Sequence, residues 1–300
     1  MKLGFSLPQF GAAAHRPQDI ARFSRQAEEM GADSLWVGDR LLAAVDPLVG
    51  YGGGDTVPRQ FRAALDPFTV LTAAADATES ALLGTNVINA PWYPPALLAR
   101  SFAGIDLLSG GRLLPGLGTG WSPEEYEAVG VPMAERGRRL DETLDVLDAF
   151  WSDGTVAHSG PHWTVAPSHV EVKPAQRPRP PIYLGGFAPA ALERVGRRAD
   201  GFLPITTVPG GPDLGRAVDR PLAAVREAAE RHGRDPNALD VVLRINPDPE
   251  ARVEDIATTV LEAGREHGVG HAFVDLMYLA EDVDRTLDLA ERILEKVRGR

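Results

Sequence analysis

The 300-residue chain has no cysteine, and its only lysines are Lys2, Lys173 and Lys296. Without cysteine there is no disulfide, no thiolate metal site and no cysteine nucleophile. Such a chain suits a reducing compartment, and a cytoplasmic location is expected. Positive charge is outweighed throughout. The net charge of -11 sets a field that repels phosphate backbones and anionic membranes, so neither a nucleic-acid partner nor a membrane is expected. Long apolar runs are missing too. None approaches the roughly 20 residues of a spanning helix, and Pro8, Gln9 and Gly11 cut the short apolar run after Lys2 before a secretory core forms. Several motifs are absent as well: the G-x-S-x-G elbow, H-E-x-x-H, and the P-loop lysine pattern. The seven histidines form no tight cluster, and no metal site is expected. His158, His162 and His169 share one segment and read as solvated loop histidines.

What is present is an alternation of short β-type runs with longer amphipathic stretches. Leu3 to Leu7 reads as a strand. Arg16 to Met30 reads as a helix, with Ile20, Phe23 and Ala27 on one face. Further strands are predicted at Ser34 to Val37, Leu82 to Ile88, Leu113 to Leu117, Ile182 to Leu184, Gly201 to Pro204, Val241 to Ile245 and His271 to Leu276. A helical pattern follows each. Asp66-Pro67 supplies a cap and a first-turn proline, and Ser122-Pro123-Glu124-Glu125 has the spacing of a capping box. Eight such units in this length predict one domain over 1–300, an α/β fold of the (β/α)8 TIM-barrel type. Insertions are expected after strands 2 and 4 and before strand 5. The most visible are the Gly- and Pro-rich loop from Gly38 to about Leu65 and the segment Gly154 to Pro181, where Thr155-Val156-Ala157 and Trp163-Thr164-Val165 read as a hairpin.

In such barrels, chemistry sits at the C-terminal ends of the strands. Gly118-Thr119-Gly120 is a strand running into a glycine turn and then a helix, and Leu184-Gly185-Gly186-Phe187 repeats the construction before Pro189. Glycines admit close backbone approach, and free amides at a helix start favour an anion. One such turn is an ordinary tight turn; two at equivalent places point to an anion site. Gly116, Gly118 and Gly120 lack the spacing of a dinucleotide fingerprint and follow the fourth strand, not the first. Asp39-Arg40 closes the second strand, either touching a ligand or forming a surface ion pair. Asn89 and Trp92 offer a polar contact and an aromatic wall after the third. Glu124, Glu125 and Glu127 are explained by helix capping.

These segments resemble the luciferase-like monooxygenase superfamily of flavin- and deazaflavin-dependent barrels. The resemblance is carried by Gly4-Phe5-Ser6-Leu7-Pro8, Ser34-Leu35-Trp36-Val37-Gly38-Asp39, Leu83-Gly84-Thr85-Asn86-Val87, Gly116-Leu117-Gly118-Thr119-Gly120-Trp121, Ile182-Tyr183-Leu184-Gly185-Gly186 and Ala199-Asp200-Gly201-Phe202-Leu203-Pro204. It implies a ring stacked above the barrel, on a bulge at Asn86-Val87 that often contains a non-prolyl cis peptide. It also implies a phosphate on the Gly118-Thr119-Gly120 and Leu184-Gly185-Gly186-Phe187 backbones, with Asp39 and Asn89 as catalytic candidates that also touch the cofactor. The deazaflavin branch is the more similar. The expected cofactor is then coenzyme F-420, with FMN as the alternative, and the expected reaction is hydride transfer to or from a small organic substrate. An FMN-dependent monooxygenase would need a separate flavin reductase as partner; a non-catalytic cofactor-binding barrel is a third reading. Relatives commonly dimerise, so a homo-oligomer is expected. Two departures stand out. The family's sugar-phosphate dehydrogenases have Asp-His where this chain has Asp39-Arg40, and Glu where it has Trp121.

Overall fold

The computed structural model describes residues 1–211 and 213–299. Its parallel strands form eight staves. These are β1 (Lys2–Ser6), β2 (Ser34–Val37), β3 (Leu82–Thr85) continued by β4 (Ile88–Asn89), and β5 (Leu113–Leu114) continued by β6 (Gly116–Gly118), then, after a hairpin of β7 (Thr155–Ser159) and β8 (Thr164–His169), β9 (Tyr183–Leu184), β10 (Gly201–Phe202) continued by β11 (Ile205–Val208), β12 (Asp240–Pro247) and β13 (His271–Val274). Parallel pairing runs from β1 through β2 to β3, from β3 and β4 to β5 and β6, and on through β9 and β10 to β12, β13 and back to β1. The helices are α1 (Asp19–Glu29), α2 (Pro67–Ala77), α3 (Pro95–Leu108), α4 (Pro123–Ala128), α5 (Arg136–Trp151), α6 (Pro189–Arg198), α7 (Arg220–Arg231), α8 (Val253–Arg265) and α9 (Val283–Arg298). The architecture is α/β and TIM-barrel-like.

Alternation along each strand explains how the core divides. Leu35 and Val37 of β2 join a large cluster shared with the helices, while Trp36 between them points inward. Trp36 stacks on Phe273 with ring centroids 4.6 Å apart, and Leu114, Tyr183, Leu203 and Val242 complete that inner cluster. Helix starts follow their caps: the Asp66 carboxylate accepts from Thr69 N–H at 2.7 Å, and Asp282 accepts from Arg285 N–H at 2.8 Å.

Two strands expected as continuous are broken, and another is extended. Pro115 splits the fourth, since proline has no N–H for the ladder, and the sixth, expected to end at Pro204, resumes beyond it as β11. The third breaks at Asn86-Val87, a cis peptide bond as the family resemblance implies. The helix that follows the sixth stave begins as a π turn over Gly215–Asp219 before α7. The hairpin histidines also differ from expectation. His158 and His162 are docked on α5, where the Glu142 carboxylate accepts from His162 N–H at 3.1 Å and Trp163 N–H at 2.8 Å and meets His158 Nε2 at 3.2 Å. His169 is exposed. No helix among the described residues is long and apolar enough to cross a membrane.

Candidate active site

A cleft of about 430 Å3 opens at the C-terminal ends of the staves. The sequence-derived candidates Asp39, Asn86, Val87, Asn89, Gly118, Thr119, Gly120, Gly185, Gly186 and Phe187 all line it. Leu184 does not. It lines an adjoining hollow of about 220 Å3, which shares both glycine turns with the cleft and adds Arg136 and Arg194. There α6 starts at Pro189 behind Ala188, with no side chain capping its amides. Exposed amides and two guanidinium groups, one of them bound to Asp141 through Arg194, give this hollow an anion-binding chemistry.

Val87 explains two of the glycines differently from the sequence reading. A Cβ on Gly118 would stand 2.6 Å from Val87 Cγ2, and one on Gly185 would stand 3.1 Å from Cγ1. These glycines make room for Val87, which rises between the two turns as a platform. Thr119, Gly120 and Gly186 stand at the rim shared by the cleft and the hollow.

Asp39 is buried. Its carboxylate accepts from Asn89 N–H at 2.9 Å and from the Tyr93 hydroxyl at 3.1 Å, while Asn89 Nδ2 donates to the Asp39 carbonyl at 3.1 Å. Burial pushes its pKa from 3.8 to about 6, against the hydrogen bonds from Asn89 and Tyr93 and the nearby Arg40 charge. The same burial, with Asp39 beside it, pushes the Tyr93 phenol well up.

Arg40 is no surface residue. Its side chain is 7% exposed, and it pairs at 2.7 Å with Glu125, whose side chain is 0% exposed. The guanidinium lies 4.7 Å from the centre of the Trp121 ring and 5.6 Å from that of Phe61, a cation–π arrangement. Glu125 also accepts from Leu41 N–H at 2.8 Å and so ties down the loop after β2. The expected capping box is therefore only half made. Ser122 Oγ accepts from Glu125 N–H at 3.4 Å, but the Glu125 side chain turns away to Arg40.

Sequence reasoning passed over Tyr51 and Arg244. Tyr51 comes from a short 3-10 turn (Tyr51–Gly53) in the long loop and packs edge-on against Phe61, ring centres 5.1 Å apart. Nothing in its glycine-rich context marks it out. Arg244 had a signal: a lone charge inside the apolar strand β12. It pairs with Asp275 at 2.5 Å, and its Nη1 donates to the Asn86 carbonyl at 3.3 Å. Asp275 in turn accepts from Ser6 Oγ at 2.8 Å. Burial opposes the Arg244 charge, but the Tyr51 phenol and Asp275 hold its pKa above the ordinary value.

Among the described residues, the buried polar atoms at this end without a hydrogen-bond partner include Asn86 Nδ2, Arg244 Nε and Asn246 Oδ1. Buried polar groups are normally satisfied. Two spare donors and one spare acceptor beside an apolar platform, with an anion hollow at one end, fit a flat heteroaromatic ring that carries carbonyl and N–H edges and a phosphate.

A family model described as luciferase-like monooxygenase matches residues 1–285. The F-420-dependent glucose-6-phosphate dehydrogenase of Kribbella flavida is 29% identical over 300 aligned residues, covering 94% of this chain and 81% of that one. Among solved structures, monooxygenase RslO1 from Streptomyces bottropensis superposes with a TM-score of 0.81 at 20% identity, over 100% of this chain and 99% of that one. An F-420-dependent secondary alcohol dehydrogenase in complex with an F-420-acetone adduct superposes with a TM-score of 0.76 at 19% identity, over 99% of each chain. At such identities the structural likenesses speak for the fold, and the match over nearly the whole sequence places this chain in the luciferase-like monooxygenase family.

Proposed function

We propose that this protein is an F-420-dependent oxidoreductase that moves a hydride between the deazaflavin and a small organic substrate. The observation that carries the reading is the cleft itself: the Val87 platform set between two glycine turns, with unpartnered donors at Asn86 and Arg244 on one side and the Arg136 hollow on the other. Kinship with an F-420-dependent dehydrogenase supports it.

On this reading, Val87 bears the face of the ring. The spare N–H groups of Asn86 and Arg244 serve its carbonyl edge. Thr119, Gly120, Gly186 and Phe187 surround the phosphate, Leu184 backs that hollow, and Arg136 supplies charge. When bound, the reduced deazaflavin supplies a hydride. Asp39 and Asn89 form the polar wall beside the platform, and Asp39, with its raised pKa, is a group that holds a proton near neutrality. The loop after strand 2, through Val49, Tyr51 and Phe61, frames the opening.

Fluorescence titration with oxidised and reduced F-420 tests the assignment. Micromolar binding supports it, and absence of binding overturns it. A reduced-FMN monooxygenase uses the same scaffold, and the fold shared with RslO1 favours keeping that second reading. Oxygen uptake in the presence of FMN and a free flavin reductase distinguishes it.

A further inference from the structure

We propose that the end of the barrel opposite the cleft carries a site for one divalent cation of the zinc class, held by Glu262, Glu266 and His267 and steadied by Asp219. Each of the three ligands offers one atom, and these atoms all lie within 4.8 Å of one another. Glu262 stands in the last turn of α8, Glu266 caps that helix and His267 follows it. His267 lines a hollow together with residues 268–270, which lead into β13, and with Leu239 and Asp240 at the start of β12. The site therefore sits at the N-terminal ends of the staves, away from the cleft at their C-terminal ends. Counting histidines along the chain passes over it, because Asp219 stands 48 residues before His267.

The imidazole is oriented as a ligand is. Its Nδ1 lies 2.8 Å from Asp219 Oδ2, and a carboxylate accepts, so Nδ1 carries the proton and donates it. Nε2 then faces Glu262 Oε1 at 3.9 Å, too far for a hydrogen bond. In the neutral ring that nitrogen presents a lone pair. A lone pair and a carboxylate oxygen repel each other unless a cation stands between them. Asp219 behind Nδ1 completes the carboxylate–histidine–metal arrangement, in which the outer carboxylate fixes the tautomer and the direction of the ring.

Charge points the same way. Glu262 and Glu266 are four residues apart, so two like charges share one face of the helix. They share it at the C-terminal end, where the helix dipole already disfavours carboxylates. Arg265, the basic residue of that turn, lines a different hollow with Met1. The ion pairs of Asp219 and Glu262 among the described residues run to the same imidazole. One divalent cation neutralises both glutamates. The nitrogen ligand disfavours magnesium and calcium, which take oxygen, and the carboxylates disfavour a soft ion; a divalent transition ion remains, zinc ahead of manganese in affinity. Zinc bonds of about 2.0–2.2 Å set tetrahedral ligand atoms about 3.4 Å apart. Glu262 is 43% exposed and Glu266 is at the surface, so both side chains can close that gap, with water as the fourth ligand. Because Asp219 ends the π turn before α7, the cation ties the end of α8 to the start of α7 and acts on stability.

The test uses the full chain without a histidine tag, stripped by a chelator. It is titrated by calorimetry with zinc chloride alone and, separately, with magnesium chloride, and thermal unfolding is followed with and without zinc. Wild type should bind one zinc per chain and no magnesium at the same concentrations. At 100 times Kd the unfolding constant should fall about 100-fold, which raises the melting temperature by about 5–10 °C. His267→Gln and Glu262→Gln should lose both the binding and the shift. Asp219→Asn, which removes a positioning residue, should weaken binding about 10–100-fold. Glu227→Gln, on the exposed face of α7, should behave as wild type. Absence of zinc binding in wild type overturns the proposal and leaves an imidazolium between two carboxylates. Equal binding by wild type and His267→Gln overturns the assignment, since the ion is then held elsewhere. Binding that His267→Gln abolishes but that leaves the wild-type melting temperature unmoved overturns the tie between the helices. None of these outcomes depends on the deazaflavin reading.

Discussion

Replacing Glu125 by leucine tests whether the buried Arg40–Glu125 pair organises the cleft. The change leaves a guanidinium only 7% exposed without its counter-charge, because Glu125 Oε2 is its partner at 2.7 Å. Removing one member of a buried ion pair costs about 3–5 kcal/mol. Leu41 N–H, donating to the same carboxylate at 2.8 Å, also loses its acceptor, at a further cost of about 1 kcal/mol. Leucine regains a little by burial, so a net loss of about 3–5 kcal/mol is expected. In a domain of this size each kcal/mol moves the melting temperature by about 2–4 °C, which predicts a fall of roughly 6–20 °C. Thermal unfolding followed by circular dichroism reads it, with Glu127→Leu on the exposed face of the same helix as control, expected within about 0.5 kcal/mol of wild type. The variant should also bind cofactor more weakly, because Leu41 begins the loop that carries Tyr51. A melting temperature within a degree or two of wild type would refute the claim that the pair is structural.

Three other perturbations follow from the same geometry. Burial raises the Asp39 pKa from 3.8 to about 6, so the folded state holds this proton more tightly than the unfolded chain. The associated stability is fully present below pH 3.8 and is lost as pH rises through 6, a change of about 3 kcal/mol. Asp39→Asn cannot titrate; the difference in unfolding free energy should shift in its favour by about that amount between pH 3.5 and 6.5, and a pH-independent difference would refute the burial argument. Gly118→Ala places a Cβ 2.6 Å from Val87 Cγ2 and should destabilise by about 1–3 kcal/mol while weakening F-420 binding; wild-type values for both would remove Val87 from its role as platform. Glu142→Leu removes the acceptor for His162 N–H and Trp163 N–H. It should speed proteolysis within the β7–β8 hairpin about tenfold, and an unchanged digestion rate would show that the hairpin docks by other contacts.

Much of the fold was written in periodicity. The run at Ser34–Val37 appears with the expected bounds because an apolar strand pattern defines it locally. The breaks within strands were harder to see. Pro115 was visible as a proline, yet Leu114 and Gly116 on either side are buried, so the pattern alone reads through it. The hairpin histidines were misread for a related reason. Their partner, Glu142, lies on a helix 16 and 20 residues earlier in the chain, and no local pattern encodes a tertiary acceptor.

The site divides along the same line. The glycine turns were legible because glycine and position announce them, and the Asn86-Val87 step was legible only through the family resemblance. Side-chain partnerships were not. Arg40 and Trp121 looked like two separate departures from the sugar-phosphate pattern, but the structure makes them one device. A buried guanidinium at position 40 needs a counter-charge, and Glu125 supplies it from one side. The Trp121 ring covers the guanidinium from another, 4.7 Å away. A carboxylate at 121 would bring a second anion against a cation that Glu125 already neutralises, and would remove the ring that flanks Tyr51. The two positions therefore depend on each other. Together they set an aromatic wall against a neutralised, buried ion pair at the mouth of the cleft.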